Sequence, residues 1–292
     1  MLALGLLLFT TGCTTVDHGG AQAFSTGVTA ARAQTKTAFD AVVTLTRASA
    51  VDYAVTQDRL KDEYLKETPD AAAIAAWNEA LDPIESYAQR LSSLTAPDAA
   101  KGVEDSVGAL AAQFNTTATK IDQPGKITAG TASAFAEVAS ALLRARGEKE
   151  ALGVAAKTDE SIRKVLTALA DVIGKDNTTP GLRATVRANW EQQLGDLKAK
   201  FADVGSSGTT DKAALAERRR PIVTDYIDRL NKRDAQDELL AALRRTYLTL
   251  ADAHTALAKG HSTDLGGAID YITAELKHAR DLQDQFTKTL SK

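Results

Sequence analysis

The stretch FSTGVTAARAQTKTAFDAVVTLTRASAVDYAVTQDRL, Phe24 to Leu60, decides the fold. Val28, Ala31, Thr35, Phe39, Val42, Thr46, Ser49, Tyr53, Thr56 and Leu60 recur at steps of three and four, the spacing that lines side chains along one face of an α-helix. No proline interrupts the chain between Ser25 and Thr68. The spacing therefore predicts a helix of roughly forty residues, about 60 Å long. That exceeds what a compact globule of this size needs, so the expected architecture is all-α: an elongated antiparallel bundle of long helices with no β-sheet.

Composition agrees with this. The chain has 292 residues, 44% hydrophobic and 25% charged, enough apolar material to bury a sizeable core. Six prolines in that length leave room for long helices. The formal net charge is −3, with both signs interspersed, so no electrostatic footprint for nucleic acid or an anionic membrane surface stands out.

Moving toward the C-terminus, TPDAAAIAAW (68–77) and APDAAKGVED (96–105) share Pro-Asp-Ala-Ala, a helix-start signal with proline in the first turn and an acid behind it. The first predicted helix carries Ile74, Trp77, Leu81, Ile84, Tyr87, Leu91 and Leu94 on one face, with Asp82-Pro83-Ile84-Glu85 reading as a kink or restart. The second carries Val103, Val107, Leu110, Phe114 and Ile121. DQPGK (122–126) is a turn. From Ile127 to Ile173 the pattern reads as one bent helix, with two helices divided at RGEKEALG (146–153) and capped at Thr158 as the alternative. GKDNTTPG (174–181) ends it, and a shorter helix follows with Val186, Trp190, Leu194, Leu197 and Phe201 on its stripe. VGSSGTT (204–210) is the most linker-like internal stretch and the place for a lobe boundary, although one elongated domain over 24–292 is the favoured reading. A third long helix is predicted from Asp211 to Lys259, with Tyr226, Leu230, Leu240, Leu243, Tyr247, Leu250, His254 and Leu257 on its stripe. A final helix follows KGHSTDLGG (259–267).

The N-terminus has a different character. Leu2 to Phe9 is an unbroken apolar run, long enough for the core of an export signal and far below the ~20 residues of a membrane-spanning helix. It ends in Thr10-Thr11-Gly12-Cys13, and Cys13 is the only cysteine in the chain. This stretch resembles the lipobox of bacterial lipoprotein precursors, usually Leu-Ala/Ser-Gly/Ala-Cys, with Gly12 and Cys13 matching it and Thr10 standing where leucine is usual. No Lys or Arg precedes the apolar core, so the reading expects a translation start upstream of Met1. The resemblance implies that residues 1–12 are removed as a signal peptide and that the Cys13 thiol carries a diacylglycerol. Residues 13–23 would then form a lipidated, flexible tether. Thr14 and Thr15 follow with no aspartate beside the lipid, which by the same resemblance implies the outer membrane, facing the periplasm or the cell surface.

The residues that could carry chemistry are sparse. His18, His254, His261 and His278 show no i, i+4 pairing around a glutamate, so no metal site is expected. A loose cluster of His254, His261 and His278 near Asp252 and Asp264 is the nearest approach to one. Gly266-Gly267 and GKDNTTPG lack the order of a phosphate loop, and no cofactor is expected. AERRRP (216–221) reads as a solvated helix face, and Trp77 and Trp190 as core. The expectation is thus a non-enzymatic, lipid-anchored envelope bundle that acts as a structural or protein-binding module. It would hold the membrane through its acyl chains and bind a protein rather than nucleic acid. Carriage of a lipid or small ligand between helices, and an envelope enzyme whose site is assembled only by folding, are the alternatives.

Overall fold

The computed structural model describes residues 18–55, 57–65, 71–95, 103–121, 129–145, 151–206 and 211–290. Eight helices account for nearly all of them: α1 (His18–Ala54), α2 (Ala71–Leu94), α3 (Val103–Ile121), α4 (Ala129–Arg144), α5 (Ala151–Ile173), α6 (Leu182–Ser206), α7 (Lys212–Lys259) and α8 (Ser262–Leu290). A single 3-10 turn, Asp62–Leu65, follows α1. Helix makes up 92% of the described residues and no strand occurs among them. None of the described helices is long and apolar enough to cross a membrane.

The helices pack as a bundle in which α7 is the spine, touching α1, α5, α6 and α8. The chain before it forms successive hairpins, α2 with α3, α3 with α4 and α4 with α5. Stripe residues meet in one continuous core that includes Phe24, Val42, Ile84, Leu91, Phe114, Leu142, Leu166, Leu243 and Leu250. Trp77 and Trp190 are both buried.

The boundaries of α7 follow from its caps. Asp211 has an extended backbone and its carboxylate accepts from the Ala213 N–H, while Gly260 closes the helix in the left-handed region at φ 70°. Pro221 does not break it. The carbonyl that loses its helical partner belongs to Glu217, and both residues lie on the solvent side.

Four expectations need correction. Residues 18–23 are the first turns of α1 rather than a tether. A Cβ at Gly20 would lie 2.7 Å from Leu265 Cδ2, so the absence of a side chain lets α1 close against α8. At its other end α1 stops at Ala54. Tyr53 and Leu60 are exposed rather than buried; the chain folds back, and Tyr64 in the 3-10 turn meets the Tyr53 ring edge-on at 5.5 Å. Thr56 lies outside the described residues.

The region 127–173 is two helices, not one bent helix. Folding α4 back along α5 buries Phe135, Val138 and Leu142 of the first with Ile162, Val165 and Leu166 of the second, and Lys164 reaches Glu137 across the pair at 2.8 Å. A single rod would leave one of those stripes in water. Thr158 consequently lies inside α5, not at its cap. Finally, α2 runs unbroken through Pro83. Asp82 does not cap a new helix; it pairs with Arg32 of α1, which also holds Glu85 at 3.1 Å.

Candidate functional site

Two features of the molecule have chemical character. The first is buried at the level where α1, α2, α5 and α7 converge. His254 lies on the inner stripe of α7 between Leu250 and Leu257 and is fully buried. Its ring is 5.6 Å from Phe24 of α1 and 5.5 Å from Tyr87 of α2. Its two nitrogens join three helices: Nδ1 is 2.9 Å from the Asp159 carboxylate of α5, and Nε2 is 2.6 Å from the Tyr87 hydroxyl. Tyr87 is also 2.6 Å from the Thr158 hydroxyl, which is 2.8 Å from the Val154 carbonyl one turn back. Thr255 donates to the same Asp159 oxygen at 3.0 Å.

The donor inventory fixes how this network is satisfied. A carboxylate only accepts, so Nδ1 carries a hydrogen and donates to Asp159. With a neutral imidazole, Nε2 accepts from Tyr87, and Tyr87 accepts from Thr158. Adding a proton to Nε2 reverses the remainder of the chain: Nε2 donates to Tyr87, Tyr87 to Thr158, and Thr158 to the Val154 carbonyl. Each arrangement gives both ring nitrogens a partner, as a buried polar group requires.

Electrostatics follow the same geometry. Burial pushes the Asp159 carboxyl up, but the hydrogen bond and the charge of His254, the Thr255 hydroxyl and the nearby Arg163 outweigh it and hold the group below the usual carboxylate range. Burial pushes the Tyr87 phenol well above its usual range, so its proton stays on. Carboxylate, imidazole and hydroxyl stand here in the order used to activate a nucleophile. The hydroxyl, however, is a phenol 1% exposed inside a packed core. The hydrogen bonds tie α2, α5 and α7 together, with the Phe24 ring of α1 packed against the imidazole.

The second feature is the first half of α7 with the last turns of α6. No residue from 211 to 235 is buried, whereas from Leu239 to Leu257 the inner face of α7 is enclosed. The change occurs at a polar collar. Arg229 donates to Gln193 of α6 at 2.8 Å and reaches Asp52 of α1 at 3.5 Å, while Gln193 donates to Ser49 at 2.7 Å. Just inside it, Trp190 Nε1 donates to Gln236 at 2.7 Å. Beyond Arg229 the α1 helix has ended, and among the described residues α6 is the helix that accompanies α7. The result is a two-helix arm, about 25 Å from Arg229 to Lys212.

The sequence-derived candidates distribute as follows. Cys13, with Thr10, Thr11, Gly12, Thr14 and Thr15, lies outside the described residues. His254, His261 and His278 do not converge: His261 faces Asp264 at 3.3 Å on the surface, and His278 stands 3.6 Å from Glu238. Among the described residues no group of three His, Cys, Asp or Glu side chains has the geometry to hold a metal. Of the three arginines, Arg218 and Arg220 are exposed, Arg220 pairs with Glu217 at 3.0 Å, and Arg219 lies over the Phe201 ring at 4.2 Å. Sequence reasoning missed the roles of Asp159 and Thr158. The available signal was polar residues on otherwise apolar stripes, as at His254. Compared with protein-family models, with curated proteins and with solved structures, the chain finds no match in any of the three.

Proposed function

We propose that this chain is a lipid-anchored protein of the bacterial cell envelope, held in the outer membrane by acyl chains on Cys13, and that it serves as a non-enzymatic, protein-binding module. The observation that carries this reading is the placement of the arm relative to the start of the fold. Helix α1 begins at His18, five residues past Cys13, and Gly20 packs on Leu265 just after the α7–α8 turn at Gly260. The arm tip lies at the far end of α7, whose 48 residues span about 72 Å. An anchor at Cys13 would therefore tether one end of a stiff rod and hold the arm well away from the bilayer. Thioether-linked and amide-linked chains together suffice for stable attachment, each buried methylene contributing about 0.8 kcal/mol.

The test is metabolic labelling with an alkynyl fatty acid, with the gene expressed from its native translation start. Wild-type protein is expected to take the label and sediment with membranes, while Cys13→Ser takes none and moves to the soluble fraction or accumulates as unprocessed precursor. Unlabelled wild type would end the anchor reading.

A further inference from the structure

We propose that the α6–α7 arm is a docking surface for an acidic amphipathic helix of a partner protein, which would lie along the arm as its missing third helix. This rests on the reading of the chain as a protein-binding module and names where and what it binds.

Two grooves run along the arm and share Phe201 and Val223. One, of about 560 Å³, is walled by Leu215, Lys212, Arg219 and Arg220; the other, of about 300 Å³, by Leu197, Lys198, Ile222 and Tyr226. Their floors are apolar. Val223 and, beside the grooves, Ile227 are exposed at 43% and 53%. Among the described residues seven of the nine exposed large apolar side chains gather at this end of the bundle: these two, with Val51, Tyr53, Val55, Leu60 and Leu65 where α1 ends. In the body, the same α7 stripe is covered by α1, α5 and α8. A stripe at three-four spacing bordered by one helix is the half-site that an amphipathic helix completes.

Charge selects the occupant. The groove linings hold four cations, Lys198, Lys212, Arg219 and Arg220, and no carboxylate. Arg219 is the most pointed of them. It is drawn across the hairpin over the Phe201 ring and against Gly205, where a Cβ would collide with its guanidinium. Its Nε is buried with no hydrogen-bond partner. A guanidinium stacked on a ring can still hold a carboxylate along its edge in two parallel hydrogen bonds. Arg220 is already paired with Glu217 at 3.0 Å, so a second copy offering its own arm would bring Lys198, Lys212 and Arg219 of each copy together, which disfavours self-pairing. A helix with an apolar stripe flanked by glutamates meets both features.

The experiment uses the full chain carrying Cys13→Ser, so its outcome does not depend on acylation: failure of the anchor leaves this proposal standing, and failure here leaves the anchor standing. Two synthetic four-turn helices share one apolar stripe, one flanked by Glu and one by Lys, and binding is followed by fluorescence anisotropy. The Glu helix is expected to bind at least about tenfold more tightly than the Lys helix, with affinity falling as salt rises. Arg219→Gln should weaken it severalfold, and Val223→Asp, on an exposed position that leaves circular dichroism and the urea midpoint unchanged, should abolish it. Equal affinity for the two helices, no binding of the Glu helix, or indifference to Val223→Asp would overturn the proposal. Preference for phosphatidylglycerol vesicles over the peptide would assign the groove to a lipid surface instead. A dimer in sedimentation equilibrium that Val223→Asp dissociates would assign it to a second copy.

Discussion

Replacing His254 with alanine is expected to destabilise the fold by about 3–5 kcal/mol, read as a shift in urea unfolding followed by circular dichroism. Three losses combine. The ring is fully buried between Phe24 and Tyr87, so its removal leaves a cavity in dense packing. Asp159 loses the hydrogen bond that does most to keep its carboxyl ionised, and a quarter-exposed carboxylate must find water instead. Tyr87 is left with Thr158 alone. Tyr87→Phe removes only the hydroxyl and should cost about 1–3 kcal/mol, the penalty for one unsatisfied buried partner. The double variant should be less destabilised than the sum of the two, because both remove the same 2.6 Å contact. Additive effects, or a His254→Ala variant as stable as wild type, would mean that the network does not hold the helices.

Phe114→Ala should likewise cost about 3–5 kcal/mol, for a simpler reason. Phe114 of α3 is fully buried, and its ring packs against Phe135 of α4 with centroids 5.7 Å apart at a tilt of 38°. The pair joins the two helices of the second hairpin inside the core, and alanine would forfeit both the apolar transfer energy and the ring contact. Gln113→Ala, one residue away on a half-buried flank, should stay within about 0.5 kcal/mol of wild type. Small and equal effects at the two positions would place the α3 seam on the wrong face.

The contrast between α7 and the remaining helices shows what a sequence discloses. The ends of α7 were legible almost to the residue because Asp211 and Gly260 are local signals: a side chain that caps an N–H, and a residue that tolerates positive φ. The start of α1 was not, since Gly19-Gly20 looks like a tether until Leu265 is packed against it. The division between α4 and α5 was legible only as an alternative, for a related reason: whether a polar stretch such as 146–153 bends a helix or separates two depends on which stripes must be brought together. The buried network was half visible. His254 stands openly on an apolar stripe, but Asp159 is 95 residues away and only the fold supplies it. The arm could not be seen at all. Tyr226 and Leu230 continue the same spacing as Leu240 and Leu243, and nothing local to α7 says that α1 ends at Ala54 and leaves its first half uncovered.

The most direct measurement of that central feature is native-state hydrogen exchange along α7. One continuous helix should divide at the Arg229 collar. Amides from Leu239 to Leu257, enclosed by α1, α5 and α8, are expected to open only with the body of the fold. Amides from 213 to 228 should exchange at least about a hundredfold faster, a difference of roughly 2.7 kcal/mol in opening free energy. Addition of the Glu-flanked helix should slow the arm and leave the body unchanged. Uniform protection from Lys212 to Lys259 in the protein alone would contradict the account, because it would mean that the arm is already covered and has no surface to offer a partner.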